Sequence, residues 1–258
     1  MIFLLSPAKS LDYETPAPTG LPSTKPLFMR AAGELIDVLQ TKSPTQIASL
    51  MDLSDKLATL NVARYHAWTP RVTIKNAKQA VLAFDGDVYD GLNAKTLTNS
   101  QLLWAQEHVL SLSGLYGVLR PLDLLQPYRL EMGTQLINPK GKNLYEFWGD
   151  TVAMHLNKLQ KTHKEPLIVN LASQEYFQVV DKKVLKARVI ECVFEDGKNG
   201  SYKVISFFAK RARGLMTRFA IEKQITEPEQ LKLFKVDGYA YAKAVSTENR
   251  WVFRRKER

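Results

Sequence analysis

Val109-Leu-Ser-Leu-Ser-Gly-Leu-Tyr-Gly-Val-Leu-Arg-Pro121 is the segment on which the architecture turns. Ser100–Leu112 has helical spacing, and the run then meets Gly114-Leu115-Tyr116-Gly117. Two glycines three apart between apolar flanks describe a tight turn whose backbone can lie close to another group. If a second helix starts beyond it, consecutive amides form a concave set of donors suited to a phosphate oxygen. Such a turn holds nucleic-acid backbone without reading bases. Tyr116 would then pack beside or stack on the strand, and Arg120 would add charge. The plainer alternative is an apolar glycine turn between two helices, with no ligand.

Charge bears on that choice. The chain of 258 residues carries 36 Lys/Arg against 26 Asp/Glu, a formal net charge of +10. Residues 181–258 hold 19 Lys/Arg against 10 Asp/Glu, a net of +9, whereas residues 1–180 are nearly neutral. The basic C-terminal third is therefore a regional feature that suits a polyanion, because each neutralised phosphate releases condensed counterion. A Lys-rich solvated surface is the other reading.

Composition sets the remaining bounds. With 45% hydrophobic residues the chain can bury a sizeable core as a single compact domain, residues 1–258. A lone cysteine, Cys192, forms no intrachain disulfide and fits a reducing compartment. It lies in the apolar run Val189-Ile-Glu-Cys-Val-Phe194, where a buried strand thiol is expected. Ile2–Leu5 is too short for a secretory signal core, and no stretch approaches the ~20 apolar residues of a membrane span. A cytoplasmic monomer without membrane contact is expected.

Strands and helices are mixed without strict alternation, which gives an α/β class with a central mixed sheet and surrounding helices. Strands are expected at Ile2–Leu5, Ala80–Phe84, Leu167–Leu171 and Trp251–Arg254, with a hairpin at Arg188–Phe194 and Tyr202–Phe208. Helices are expected at Phe28–Gln40, Ser54–Trp68 with Ser54 at its N-cap, Leu144–Lys161 and about Lys210–Lys223. On the last of these, Ala212, Leu215, Met216 and Phe219 share one arc at ~100° per residue. Lys210, Arg211, Arg213 and Arg218 point broadly away, with Gly214 among them. Glycine inside a helix costs roughly 1 kcal/mol against alanine. Either a sugar-phosphate backbone or a second helix approaches there.

Six segments recur in one order: Ser6-Pro-Ala-Lys9, Phe84-Asp-Gly-Asp-Val-Tyr89, Leu112–Leu122, Pro127-Tyr-Arg-Leu-Glu-Met132, Asn170-Leu-Ala-Ser173 and Lys210-Arg-Ala-Arg-Gly-Leu-Met216. Together they resemble the YaaA family of bacterial peroxide-stress proteins across essentially the whole chain. The resemblance implies a cytoplasmic protein that limits oxidative damage by lowering available iron. It also implies a positively charged cleft that binds DNA and a helix-hairpin-helix-like element at about residues 100–126. That element would place Gly114, Leu115, Tyr116, Gly117 and Arg120 on DNA, duplex, distorted or single-stranded, without sequence preference. Lys210, Arg211, Arg213 and Arg218 would track its backbone. Pro121 and Pro127 leave the second helix barely two turns.

Competing chemistry gathers at strand ends. Ser6, Lys9, Asp85, Asp87, Tyr89, Asn170, Ser173, Glu175 and Tyr176 follow strands, with Arg129 and Glu131 in an extended segment. Lys9, Asp87, Arg129 and Glu175 are the candidates for an enzyme acting on a small anionic or nucleotide substrate. A structural ion-pair network would use the same residues. Asp85-Gly-Asp87 supplies oxygen ligands for a divalent cation or is an ordinary turn. His66, His108, His155 and His163 share no metal-ligand spacing, so neither metal nor cofactor is expected. A basic protein docking an acidic partner is the remaining alternative.

Overall fold

The computed structural model describes residues 1–161 and 165–257; His163 lies outside them. Eight strands form the central sheet: β1 (Ile2–Leu5), β2 (Val109–Ser113), β3 (Gly117–Leu119), β4 (Leu167–Leu171), β5 (Arg188–Lys198), β6 (Ser201–Lys203), β7 (Tyr239–Tyr241) and β8 (Arg250–Arg255). Their order is β7-β8-β5-β4-β1-β2-β3, with β6 paired to β5 off that path. β1 runs parallel to both β2 and β4, in register Leu5↔Ser111 and Leu5↔Leu171. β4–β5 and β5–β8 are also parallel, whereas β2–β3, β5–β6 and β7–β8 are antiparallel. The sheet is mixed, as the α/β reading of the sequence holds. All residues of β1, β2 and β4 are buried; β1 is a continuous apolar run, while Ser111, Ser113 and Asn170 are buried polar members of β2 and β4.

Helices surround the sheet: α1 (Met29–Gln40), α2 (Pro44–Met51), α3 (Asp55–Ala67), α4 (Ala80–Ala83), α5 (Asp87–Leu92), α6 (Asn99–His108), α7 (Leu144–Trp148), α8 (Thr151–Leu159), α9 (Gln174–Phe177) and α10 (Ser206–Lys223). Ser43 with Gln46, and Thr98 with Gln101, form reciprocal capping boxes that start α2 and α6.

Several expectations change. The segment at 100–126 is not two helices around a glycine turn. α6 stops at His108, and Val109–Ser113 enters the sheet beside β1; Gly114–Tyr116 then joins β2 to β3 as a β-hairpin. Valine and leucine alternating with small serines fit the pleat between β1 and β3 better than a helix surface. Beyond Arg120 no second helix follows: Leu124–Leu125 pairs with Lys78–Gln79. Ala80–Ala83 is a single helical turn instead of a strand. The expected helix at Leu144–Lys161 breaks into α7 and α8 at Gly149, whose φ of +47° the preceding helix cannot continue. β5 runs on to Lys198 and turns at Asn199-Gly200, both at positive φ, and the chain is already helical by Ser206.

Candidate functional site

β1 lies between strands reached in opposite directions, and in open α/β sheets such a switch point opens a crevice at the strand carboxyl ends. Here β1 leads into Ser6-Pro7-Ala8-Lys9, and Ser10–Leu11 pairs antiparallel with Phe84–Asp85. That short ladder holds the loop after β1 against Asp85-Gly86-Asp87. From β4, Ser173 closes the other side: its amide donates to Ser6 Oγ at 2.9 Å, and the two hydroxyls lie 3.3 Å apart. Ser173 Oγ also accepts from the Tyr176 amide, which starts α9. Below, the Tyr89 hydroxyl donates to the Ser6 carbonyl at 3.3 Å and meets Ser111 Oγ at 2.7 Å.

The fourth wall is α10, brought in by two glycines. A Cβ on Gly214 would sit 1.8 Å from the Val88 carbonyl oxygen, and one on Gly91 would sit 2.2 Å from that of Arg211. Only hydrogen at both positions allows α5 and α10 to cross backbone to backbone. Gly214 therefore serves helix–helix packing, not a sugar-phosphate backbone. The crossing carries Lys210 and Arg213 over the start of α5.

The result is a cleft of about 340 Å³, lined by cations Lys9, Lys210 and Arg213 and by carboxylates Asp85, Asp87 and Glu175. Pro7, Ala8, Val88 and Tyr176 give it apolar walls. Lys9 pairs with Glu131 at 2.6 Å, and Glu131 also accepts from Arg129 Nη2 at 2.9 Å. Glu175 Oε1 accepts from the Gly133 amide at 3.0 Å. Among the described residues, Lys210, Asp85 and Asp87 have no ion pair or side-chain hydrogen bond. Arg213 Nε is buried without a hydrogen-bond partner. Burial lowers the Arg213 pKa, an effect opposed by Glu191 nearby. Burial also holds the Tyr176 phenol well above its ordinary value, reinforced by Tyr128 and the Glu175 and Glu131 carboxylates. No group of three or more His, Cys, Asp or Glu among the described residues is placed to hold a metal ion.

The structure brings Lys9, Asp87, Glu175, Lys210 and Arg213 together and links Arg129 to them through Glu131. It separates the others. Leu115 and Tyr116 are fully buried, and the Gly114 carbonyl accepts from Trp148 Nε1 at 2.9 Å. The Tyr116 amide donates to Ser113 Oγ at 3.0 Å, and its hydroxyl accepts from Trp68 Nε1 at 3.0 Å. Gly117, at φ +67°, lies under the Trp148 ring. A phosphate cannot reach amides enclosed in this way, so Gly114–Gly117 is a packing element rather than a nucleic-acid contact. Arg120 is committed to Asp123, which is fully buried. Arg218 donates to the Leu92 and Asn93 carbonyls at 3.1 and 3.0 Å and pairs with Glu222. It thus satisfies the C-terminus of α5. Arg211 is exposed and does not line the cleft.

Sequence reasoning assigns the carboxylates and the α10 cations to two rival sites, whereas they share one cleft. The signal it overlooks is Gly91: a second glycine within a short helix, matching Gly214, marks a pair of close-packed helices.

The fold and cleft define an α/β protein with a polar, mixed-charge pocket at the switch point of its sheet. A family model described as "Peroxide stress protein YaaA" matches residues 1–245. The chain is 62% identical to a UPF0246 protein of Albidiferax ferrireducens, covering 100% of this chain and 99% of that one. It is also 62% identical to one of Leptothrix cholodnii, over 99% and 98% of the two chains, and 61% identical to one of Bordetella petrii, over 99% and 100%. The chain belongs to the YaaA peroxide-stress family. No helix among the described residues is long and apolar enough to cross a membrane.

Proposed function

We propose that this peroxide-stress protein acts in the cytoplasm, as a monomer, by binding DNA without reading its sequence, and that the mouth of the cleft is where a backbone phosphate is held. The observation that carries this reading is the unpartnered Nε of Arg213 beside the unpaired Lys210. Buried polar groups in native structures are hydrogen-bonded, so a guanidinium left short of a partner at a cleft calls for an anion. Exposed Lys203, Arg211, Lys223 and Lys256 extend the cationic surface of the C-terminal third. Limitation of free iron during peroxide exposure is the cellular outcome that the family resemblance supports.

Anisotropy titrations of a labelled duplex over a series of salt concentrations test the reading. Lys210→Ala with Arg211→Ala should flatten the slope of log affinity against log salt by about 0.9 for each phosphate that the variant no longer neutralises. An unchanged slope overturns it. A second reading, an enzyme on a small anionic or nucleotide substrate, is favoured by unpaired Asp87 lining the same pocket as Glu175 and Lys9. Turnover that is abolished in Asp87→Asn and independent of DNA would select it.

A further inference from the structure

We propose that the interior of this cleft receives one unstacked nucleotide, its phosphate against Lys210 and Arg213 and the amino edge of its base on Asp87 and Glu175. The inference rests on the DNA reading above and adds what the pocket holds. A duplex offers only phosphate and sugar to a protein at its backbone, and carboxylates repel that surface. Yet half of the charged groups in this cleft are carboxylates, and Asp85 and Asp87 have no donor of their own among the described residues. What satisfies both signs at once is a ligand with an anion at one end and N–H donors at the other. A nucleotide of adenine, cytosine or guanine is such a ligand; its exocyclic amine donates to a carboxylate as cytosine N4 does to Asp or Glu.

Size and walls agree. A volume of about 340 Å³ lies at the lower end of small-molecule sites and excludes a duplex. Pro7, Ala8, Val88 and Tyr176 in the lining supply apolar surface for the faces of a base. Enzymes and binders that take a base out of the stack read it in this way, by its Watson–Crick edge between apolar or aromatic side chains. Thymine has no exocyclic amine and offers only its N3–H, flanked by two carbonyl oxygens that repel a carboxylate, so it serves the pair less well.

Two measurements on the full chain test the proposal. In the first, a duplex carrying a single 2-aminopurine at a mismatch is titrated with protein while its mobility in a gel is followed in parallel. Extrusion of the base raises its fluorescence as the duplex is retarded, and Asp87→Asn and Glu175→Gln each suppress the rise. Glu175→Gln keeps an oxygen for the Gly133 amide, so it guards against loss of folding in the first variant. Arg30→Ala, on α1 outside the cleft, leaves the rise intact. In the second, the free protein is titrated with dCMP and with dTMP at low salt, and dCMP should bind roughly tenfold or more tightly. Retardation without a fluorescence rise overturns the nucleotide pocket and leaves the DNA reading standing. If no duplex is retarded the DNA reading fails, and the mononucleotides then decide: dCMP preference supports the pocket, and equal or absent binding overturns it.

Discussion

Replacing Gly214 by alanine puts a methyl group where α5 already lies. The new Cβ would be 1.8 Å from the Val88 carbonyl oxygen and 2.7 Å from the Leu92 amide nitrogen, against ordinary van der Waals separation from 3.4 Å. The nearest atoms are backbone, so no rotamer change relieves the clash, and the two helices must part by about 1.6 Å. Overpacking of this kind costs roughly 1–3 kcal/mol, and a backbone clash belongs at the upper end. Alanine returns about 1 kcal/mol of helix propensity, leaving a net loss of about 2 kcal/mol. For a chain of this size that lowers Tm by about 4–8 °C. Gly33→Ala is the matched control, because its Cβ would meet only the Trp68 ring at 3.7 Å inside α1. It should gain the propensity term alone and raise Tm by about 2–4 °C. Calorimetric scans of the two variants decide the matter. A Gly214→Ala protein that melts at or above the parent refutes the backbone-to-backbone crossing, and with it the placement of Lys210 and Arg213 over the cleft.

Arg120→Ala should strip the buried Asp123 carboxylate of its ion partner and cost about 3 kcal/mol in urea unfolding, with no change in the salt slope of DNA binding. Stability should also fall as pH climbs from 9 towards 12. Burial pushes the Cys192 thiol from 9.0 up to about 12 and the Tyr116 phenol from 10.0 to about 12, so the unfolded chain gives up these protons first and alkali favours it. Urea midpoints at pH 8, 9, 10 and 11 measure this, and Cys192→Ala should make the fall between pH 9 and 10 shallower.

The parts of the fold visible in the sequence are those whose local chemistry and tertiary role agree. Ile2–Leu5 and Leu167–Leu171 are short apolar runs ended by proline or small polar residues, and both are fully buried strands. Phe28–Gln40 and Lys210–Lys223 carry a helical period and are helices within a residue or two, apart from an extra turn at Ser206. The glycine turn misleads because local features do not reveal enclosure: Gly114 and Gly117 permit close approach, but the approaching groups are the Leu130 backbone and the Trp148 ring. The cleft is half legible. Polar residues after β1 and β4 mark a strand-end pocket, since the crevice follows from parallel topology. That α10 forms its fourth wall depends on packing between residues more than a hundred positions apart, and no local period encodes that.

The central position of β1 has a consequence for synthesis. Ile2–Leu5 leaves the ribosome more than a hundred residues ahead of its two partners, Val109–Ser111 and Ile168–Leu171. At about 5–20 residues per second, on the order of ten seconds or more pass before both neighbours exist. Until β2 is made the keystone of the sheet is a bare apolar tetrapeptide with both hydrogen-bonding edges open, and the edge that meets β4 waits until residue 171. A chain halted before residue 167 keeps one of them open indefinitely, so prematurely terminated copies should be captured by holding chaperones or aggregate instead of persisting as soluble fragments.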